Sequence, residues 1–252
     1  MRPVRSCEPQ WTKEPGVHGV STMMVRDDAP VCGPPWSFPA HYCDARGQEA
    51  TTIFDDGRTL RMVVRGVDFS GPDFERFEPP PGMEDAIGAS FSLCDNSLAD
   101  CVLEWEMPIG MVIGDRDIEG LLTARLDLGP PRPEPNRGIA FENLHLTLRW
   151  NGGVAESCGT HACFGDELEE IQARLPEGVW MRICFACAFS DYHPVGQGLS
   201  GGLACFRDNK AGYLSVRGKA VMNIWHTRTE YVQEWFSCPE FQRRAPGTGY
   251  RG

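Results

Sequence analysis

The chain has 252 residues, a net charge of −11, 41% hydrophobic and 23% charged residues. That length suits one large domain or two small ones, and the apolar content suffices for a core, so a wholly disordered chain and a disulfide-dependent miniature scaffold are both excluded. No run of 18 uncharged apolar residues is present to make a helical membrane span.

No apolar stretch follows the basic opening within the first 30 residues, so no secretory signal is expected. A cytoplasmic location follows as the expectation. There the 11 cysteines read as metal ligands or buried thiols before they read as disulfides. The charge is uneven: residues 207–252 hold eight Lys or Arg against four Asp or Glu, while the remainder is strongly acidic. A basic C-terminal surface for an acidic partner is one reading. A basic segment packed beside an acidic body is the simpler one.

Residues 1–47 contain seven prolines and no apolar period, although they include Trp11, Trp36, Phe38 and Tyr42. They read as an irregular arm that the fold does not need. Strand signals begin at Ala50. Thr51–Asp55 and Thr59–Arg65 flank Asp56-Gly57, a hairpin signature. Gly71–Gly82 reads as a loop. Strands resume at Ala89–Cys94, Asp100–Glu106 and Ile109–Ile113.

The clearest strands are Gly120–Leu128 and Glu142–Trp150. Leu122, Ala124, Leu126 and Leu128 alternate with polar residues in the first; Leu144, Leu146, Leu148 and Trp150 do so in the second. Strict period two gives each strand one buried and one wet face, as in antiparallel sheets. Past Asn151-Gly152-Gly153 the pattern changes. Asp166 is placed to cap a short helix over Glu167–Leu175, and Val179–Phe189 is an apolar run. Residues 219–236 read as a long amphipathic helix, with Val221, Ile224, Trp225, Val232, Trp235 and Phe236 near one face.

The cysteines carry the most chemistry. Cys184 and Cys187 form a C-x-x-C, and zinc takes thiolates at tetrahedral corners. Cys205 and Cys238 complete a set of four that ties the apolar run to the glycine loop and the final segment. A second group, Cys158, His161 and Cys163, is the other choice. Against both stands geometry: on a straight strand Cys184 and Cys187 point to opposite faces. A redox role for the C-x-x-C lacks the thioredoxin-like βαβ context. Cys7, Cys32, Cys43, Cys94 and Cys101 read as buried thiols.

Gly196–Gly201 spells G-x-G-x-x-G but lacks the flanking strand, helix and distal acid of a dinucleotide site, so no nucleotide cofactor is expected. Asp191, Tyr192 and His193 group a carboxylate, a phenol and an imidazole beside the cysteines. They suit either a hydrogen-bonded turn or acid–base work at an open zinc. Nothing resembles an aromatic–basic nucleic-acid pattern, so neither nucleic acid nor membrane is an expected partner.

Four pieces, Cys184–Gly196, Cys205–Lys210, Cys238–Phe241 and Pro246–Gly252, together resemble the C-terminal half of a bacterial family of unknown function. The resemblance covers about residues 180–252. It implies that Cys184, Cys187, Cys205 and Cys238 belong together, and it implies no activity. The fold expected is α+β and mostly β. An antiparallel, sandwich-like domain over 48–153 packs on a cysteine-rich α+β part over 154–252. The function expected is that of a zinc-stabilised binding or accessory protein, of immunity type for example, with a protein or small molecule as partner. The alternative is a zinc-dependent enzyme working through Asp191, Tyr192 and His193.

Overall fold

The computed structural model describes residues 35–133, 135–160, 163–194 and 202–251. Expectations resting on Cys7, Trp11 and Cys32, on His161, and on Gly196–Gly201 lie outside the described residues.

The alternating segments form strands β1 (Trp36–Asp44), β2 (Gly47–Asp55), β3 (Leu60–Val64), β4 (Val67–Gly71), β7 (Cys101–Ile113), β8 (Arg116–Leu128), β9 (Glu142–Trp150) and β10 (Gly153–Glu156). Between β4 and β7 lie a short helix, α1 (Glu84–Ile87), and a small hairpin of β5 (Ser92–Cys94) and β6 (Ser97–Ala99). With β11 (Val179–Met181), the longer strands make one nine-stranded sheet. Its order is β10-β9-β8-β7-β1-β2-β3-β4, and β11 pairs with β7. All its pairings are antiparallel. The fold is thus mostly β around a large antiparallel sheet, and the hairpin across Asp56-Gly57 is present, with Gly57 at positive φ.

Period two decides the faces. Leu103, Trp105, Met107 and Ile109 of β7, and Leu122, Ala124 and Leu126 of β8, are buried. On the other face of β7 and β8, Arg125 links Glu104 (2.6 Å) and Asp127 (2.9 Å). Strand β7 runs through Pro108, which the sequence reading treats as a break. The Arg182 N–H donates to the Gly110 carbonyl, so Gly110 faces β11. Two residues earlier, Pro108 faces the same edge. There β1 ends its pairing at Trp105 and β11 begins at Met111. The missing proline N–H therefore falls in a gap between partners.

Three expectations are corrected. Residues 36–44, read as part of a dispensable arm, are a strand held between β2 and β7, with Phe38, Ala40 and Tyr42 buried. Cys43, read as a thiol, is disulfide-bonded. Residues 219–236 are not one helix. Gly218–Thr227 is a 3-10 segment, and Glu230–Val232 is β14, paired with β13 (Leu203–Cys205). The apolar residues serve two different clusters. Val221 and Trp225 join a small core with Phe189, Phe206 and Tyr213; Val232 and Trp235 join the main one. A single helical stripe cannot face both.

Helix α2 (Phe164–Arg174) matches the expected helix but starts earlier, with Cys163 rather than Asp166 at the cap position. Its Phe164, Leu168 and Ile171 join the core of the sheet. Trp235 is set among Phe38 (6.3 Å), Phe74 (5.4 Å) and Phe164 (5.5 Å). One continuous core therefore spans the boundary at 153/154 that the sequence suggests. Among the described residues, no helix is long and apolar enough to cross a membrane.

Candidate functional site: a thiol cluster beside a charged cavity

The apolar run Val179–Phe189 is not a straight strand. After β11 it turns through a 3-10 segment, Cys184–Ala186, closed by the Cys187 N–H donating to the Cys184 carbonyl (3.1 Å). The segment is therefore a turn and not a straight strand, with Cys184 in the main core and Cys187 in the smaller one. Ser190–Asp191 then forms β12, which pairs Ser190 with Cys205 of β13. The Cys184 N–H donates to the Phe236 carbonyl (2.6 Å), and Cys187 bridges to Arg243. Backbone pairing thus joins the segments that carry these cysteines, and all four are buried, Cys184, Cys205 and Cys238 in the main core and Cys187 in the smaller one.

Burial holds the Cys205 thiol above its ordinary range; the Arg207 backbone N–H and charge pull it down, and Cys187 and Cys238 add to the rise. Three of the sulfurs are therefore close enough to act on one another. Two accept backbone N–H bonds from two residues on: Cys205 from Arg207, and Cys238 from Glu240 at 3.4 Å. The Arg207 guanidinium is 3.9 Å from the Cys205 sulfur. Lys210 feels Cys238 and Cys187 and pairs with Glu240 at 2.7 Å. Among the described residues, no three His, Cys, Asp or Glu side chains stand in a metal-holding arrangement. Of the second cysteine group, Cys158 is exposed and bonded to Thr160 Oγ1 (2.9 Å), while Cys163 sits at the head of α2.

Asp191 and Tyr192 are each held by partners from the C-terminal segment. Asp191, fully buried, accepts hydrogen bonds from the Tyr213 hydroxyl (2.8 Å), the Tyr250 N–H (2.6 Å) and Arg251 Nε (3.2 Å). Tyr192 donates to Glu234 (3.0 Å). Burial, reinforced by that carboxylate, holds its phenol well above the ordinary range. His193 meets Trp225 edge-on at 4.8 Å.

Arg251 and Gly249 organise much of this region, and the sequence reading did not connect either to Asp191. Arg251 lies over Phe185 (5.0 Å) and Tyr192 (4.9 Å) and donates to the Phe185 and Ser190 carbonyls. Burial, and then the neighbouring Arg244, lower its pKa. The tail can reach Asp191 because residue 249 is glycine. A Cβ there would stand 1.9 Å from the Tyr213 hydroxyl and 2.6 Å from Asp191 Oδ2, and φ is +70°. The one available signal was the closely spaced Gly247 and Gly249, which mark a turn but not its docking partner. Gly165 plays a similar part in α2, where a Cβ would meet the Tyr192 hydroxyl at 2.3 Å.

Between α2 and the C-terminal segment lies a cavity of about 710 Å³. Gly165, Asp166, Glu169 and Gln172 line one side; Trp180, Phe185 and Tyr192 also line it, as do Arg243, Arg244, Tyr250 and Arg251. Its volume falls in the range of small-molecule sites. Of the basic C-terminal surplus, Arg207, Lys210 and Arg251 are in ion pairs. Arg243 stacks on Trp180 at 4.7 Å.

No curated protein and no solved structure matches the chain. A family model described as a family of unknown function, DUF6304, matches residues 36–190. The match takes in the large sheet, α2 and the Cys184–Cys187 turn, and it stops short of Cys205, Cys238 and most of the segment that carried the bacterial resemblance. It covers more than half of the sequence, and the chain belongs to the DUF6304 family.

Proposed function

We propose that the protein is a zinc-stabilised binding protein, in which Cys184, Cys187, Cys205 and Cys238 hold a structural zinc ion and the adjoining cavity receives a ligand. The observation that carries this reading is the pair of backbone N–H···S bonds at Cys205 and Cys238, together with the Cys184–Cys187 turn. Thiolates are the ligands zinc selects. Arg207 and Lys210 supply positive charge where four thiolates around one zinc ion leave a net negative one.

The enzyme reading is the weaker one. Asp191 and Tyr192 are committed to Tyr213, Tyr250, Arg251 and Glu234, and a carboxylate so occupied has little left for proton transfer.

The test is elemental analysis of the purified protein and of Cys184→Ser and Cys238→Ser. The expected result is about one zinc per chain, lost in both variants, with a clear drop in thermal stability because metal-binding energy at such a site is folding energy. Retention of zinc by Cys238→Ser would remove Cys238 from the set.

A further inference from the structure

The cavity walls carry opposite charge. On the α2 side stand Asp166 and Glu169; on the C-terminal side stand Arg243 and Arg244. Among the described residues, none of these four forms an ion pair with another. Arg244 donates only to neutral acceptors: the Tyr213 hydroxyl (3.1 Å), the Thr248 carbonyl (2.8 Å) and the Ser190 carbonyl. Arg243 has the face of Trp180. Two carboxylates and two guanidiniums thus look onto one space without neutralising one another.

Asp166 has a structural reason to be acidic, since it lies in the first turn of α2, where negative charge complements the helix dipole. Glu169, one turn further on, has no such reason. The middle of the space is lined by Trp180, Phe185 and Tyr192.

We propose that this cavity binds a short, zwitterionic, peptide-like ligand with its carboxylate at Arg243 and Arg244, its ammonium at Glu169 and Asp166, and an apolar or aromatic side chain against Trp180. A dianion such as a phosphate ester meets two repelling carboxylates, and a simple cation meets two guanidiniums. A ligand with both charges satisfies both walls. A cavity of about 710 Å³ has room for more than a single amino acid, so a short peptide with one charge at each end fits it. Arginine on an aromatic face is suited to holding a carboxylate while packing against an apolar group.

This proposal rests on the binding-protein reading and deepens it. The experiment is calorimetric titration of the full chain with Gly-Phe-Gly, with its N-acetylated form and with its C-terminal amide. The free tripeptide is expected to bind at least tenfold more tightly than either capped form. Glu169→Gln should abolish the discrimination against acetylation, and Arg243→Gln the discrimination against amidation. Both side chains are exposed, so both variants should keep the wild-type melting curve.

Equal binding of the acetylated and free peptides would make the cavity a plain anion site and overturn the proposal. So would the absence of binding at millimolar peptide. Zinc content measured on the same samples separates this proposal from the reading above. Full zinc with no peptide binding sinks the ligand class alone, whereas peptide binding by zinc-free protein leaves the ligand class standing and sinks the thiolate site.

Discussion

The large sheet and the C-terminal segment that docks beside it are held by different physics. In the sheet, stability is repetitive: every second residue of β7, β8 and β9 enters the same core, and each contributes a similar increment of burial. In the C-terminal region the elements are short, and singular contacts hold them. Asp191 gathers Tyr213, Tyr250 and Arg251; Tyr192 reaches Glu234; Gly249 admits the tail. A repetitive structure tolerates change on its wet face and loses stability in steps, while a structure of singular contacts has no spare partner for any of them.

The largest effect should come from the strand that joins the two. Removing residues 35–44 takes away the strand between β2 and β7 and also the Phe38 contact with Trp235. The truncated chain should show no cooperative unfolding transition by circular dichroism. A truncation that melts like the full chain would mean that β1 is an ornament on a sheet that closes without it.

Asp191→Ala comes next. It leaves Arg251 in a buried setting without its carboxylate and next to Arg244. Breaking a buried pair from one side costs about 3–5 kcal/mol, measurable by urea unfolding. A wet-face substitution such as Thr123→Ser should stay within about 0.5 kcal/mol. Similar costs for the two would erase the contrast between the regions.

Gly249→Ala sharpens the comparison further. Gly249 and Gly138 both have positive φ, but a Cβ at Gly138 meets nothing within 4 Å. Gly138→Ala should cost about 1 kcal/mol, the left-handed penalty alone. Gly249→Ala should cost clearly more and expose the tail to carboxypeptidase. Equal costs would show that the tail docks loosely.

The sheet also carries a pH dependence. Asp55 is buried at the end of β2, and burial raises its carboxyl to about 6 although the Gly57 N–H pulls it down. Between about pH 4 and about pH 6 the folded protein therefore holds more protons than the unfolded chain. Its stability should fall as the pH rises through that window. Asp55→Asn should flatten that part of the stability profile, and an unchanged slope would rule Asp55 out as its source.

What the sequence made legible follows the same division. The alternation in Gly120–Leu128 and Glu142–Trp150 reads directly because one face is wet. Strand β1 has the same alternation, with Phe38, Ala40 and Tyr42 inside, but Pro39 and its proline-rich surroundings hid it. Pro39 lies just outside the stretch paired with β7, which begins at Ala40. The supposed helix over 219–236 misled because apolar spacing cannot say that Trp225 and Trp235 face different cores. Cysteine spacing says nothing of the cores these residues enter, which differ for Cys184 and Cys187. The contacts of Asp191 with Tyr213 and Arg251 had no local signature, because they join positions 22 and 60 residues apart.

The most direct test of the account is thermal unfolding of the purified full chain with and without excess chelator, with zinc quantified in the same preparations. The account predicts about one zinc per chain, and its removal should lower the melting temperature and release the C-terminal segment to proteolysis while strand signal from the sheet persists at lower temperatures. A zinc-free protein whose melting curve is unmoved by chelator would contradict it.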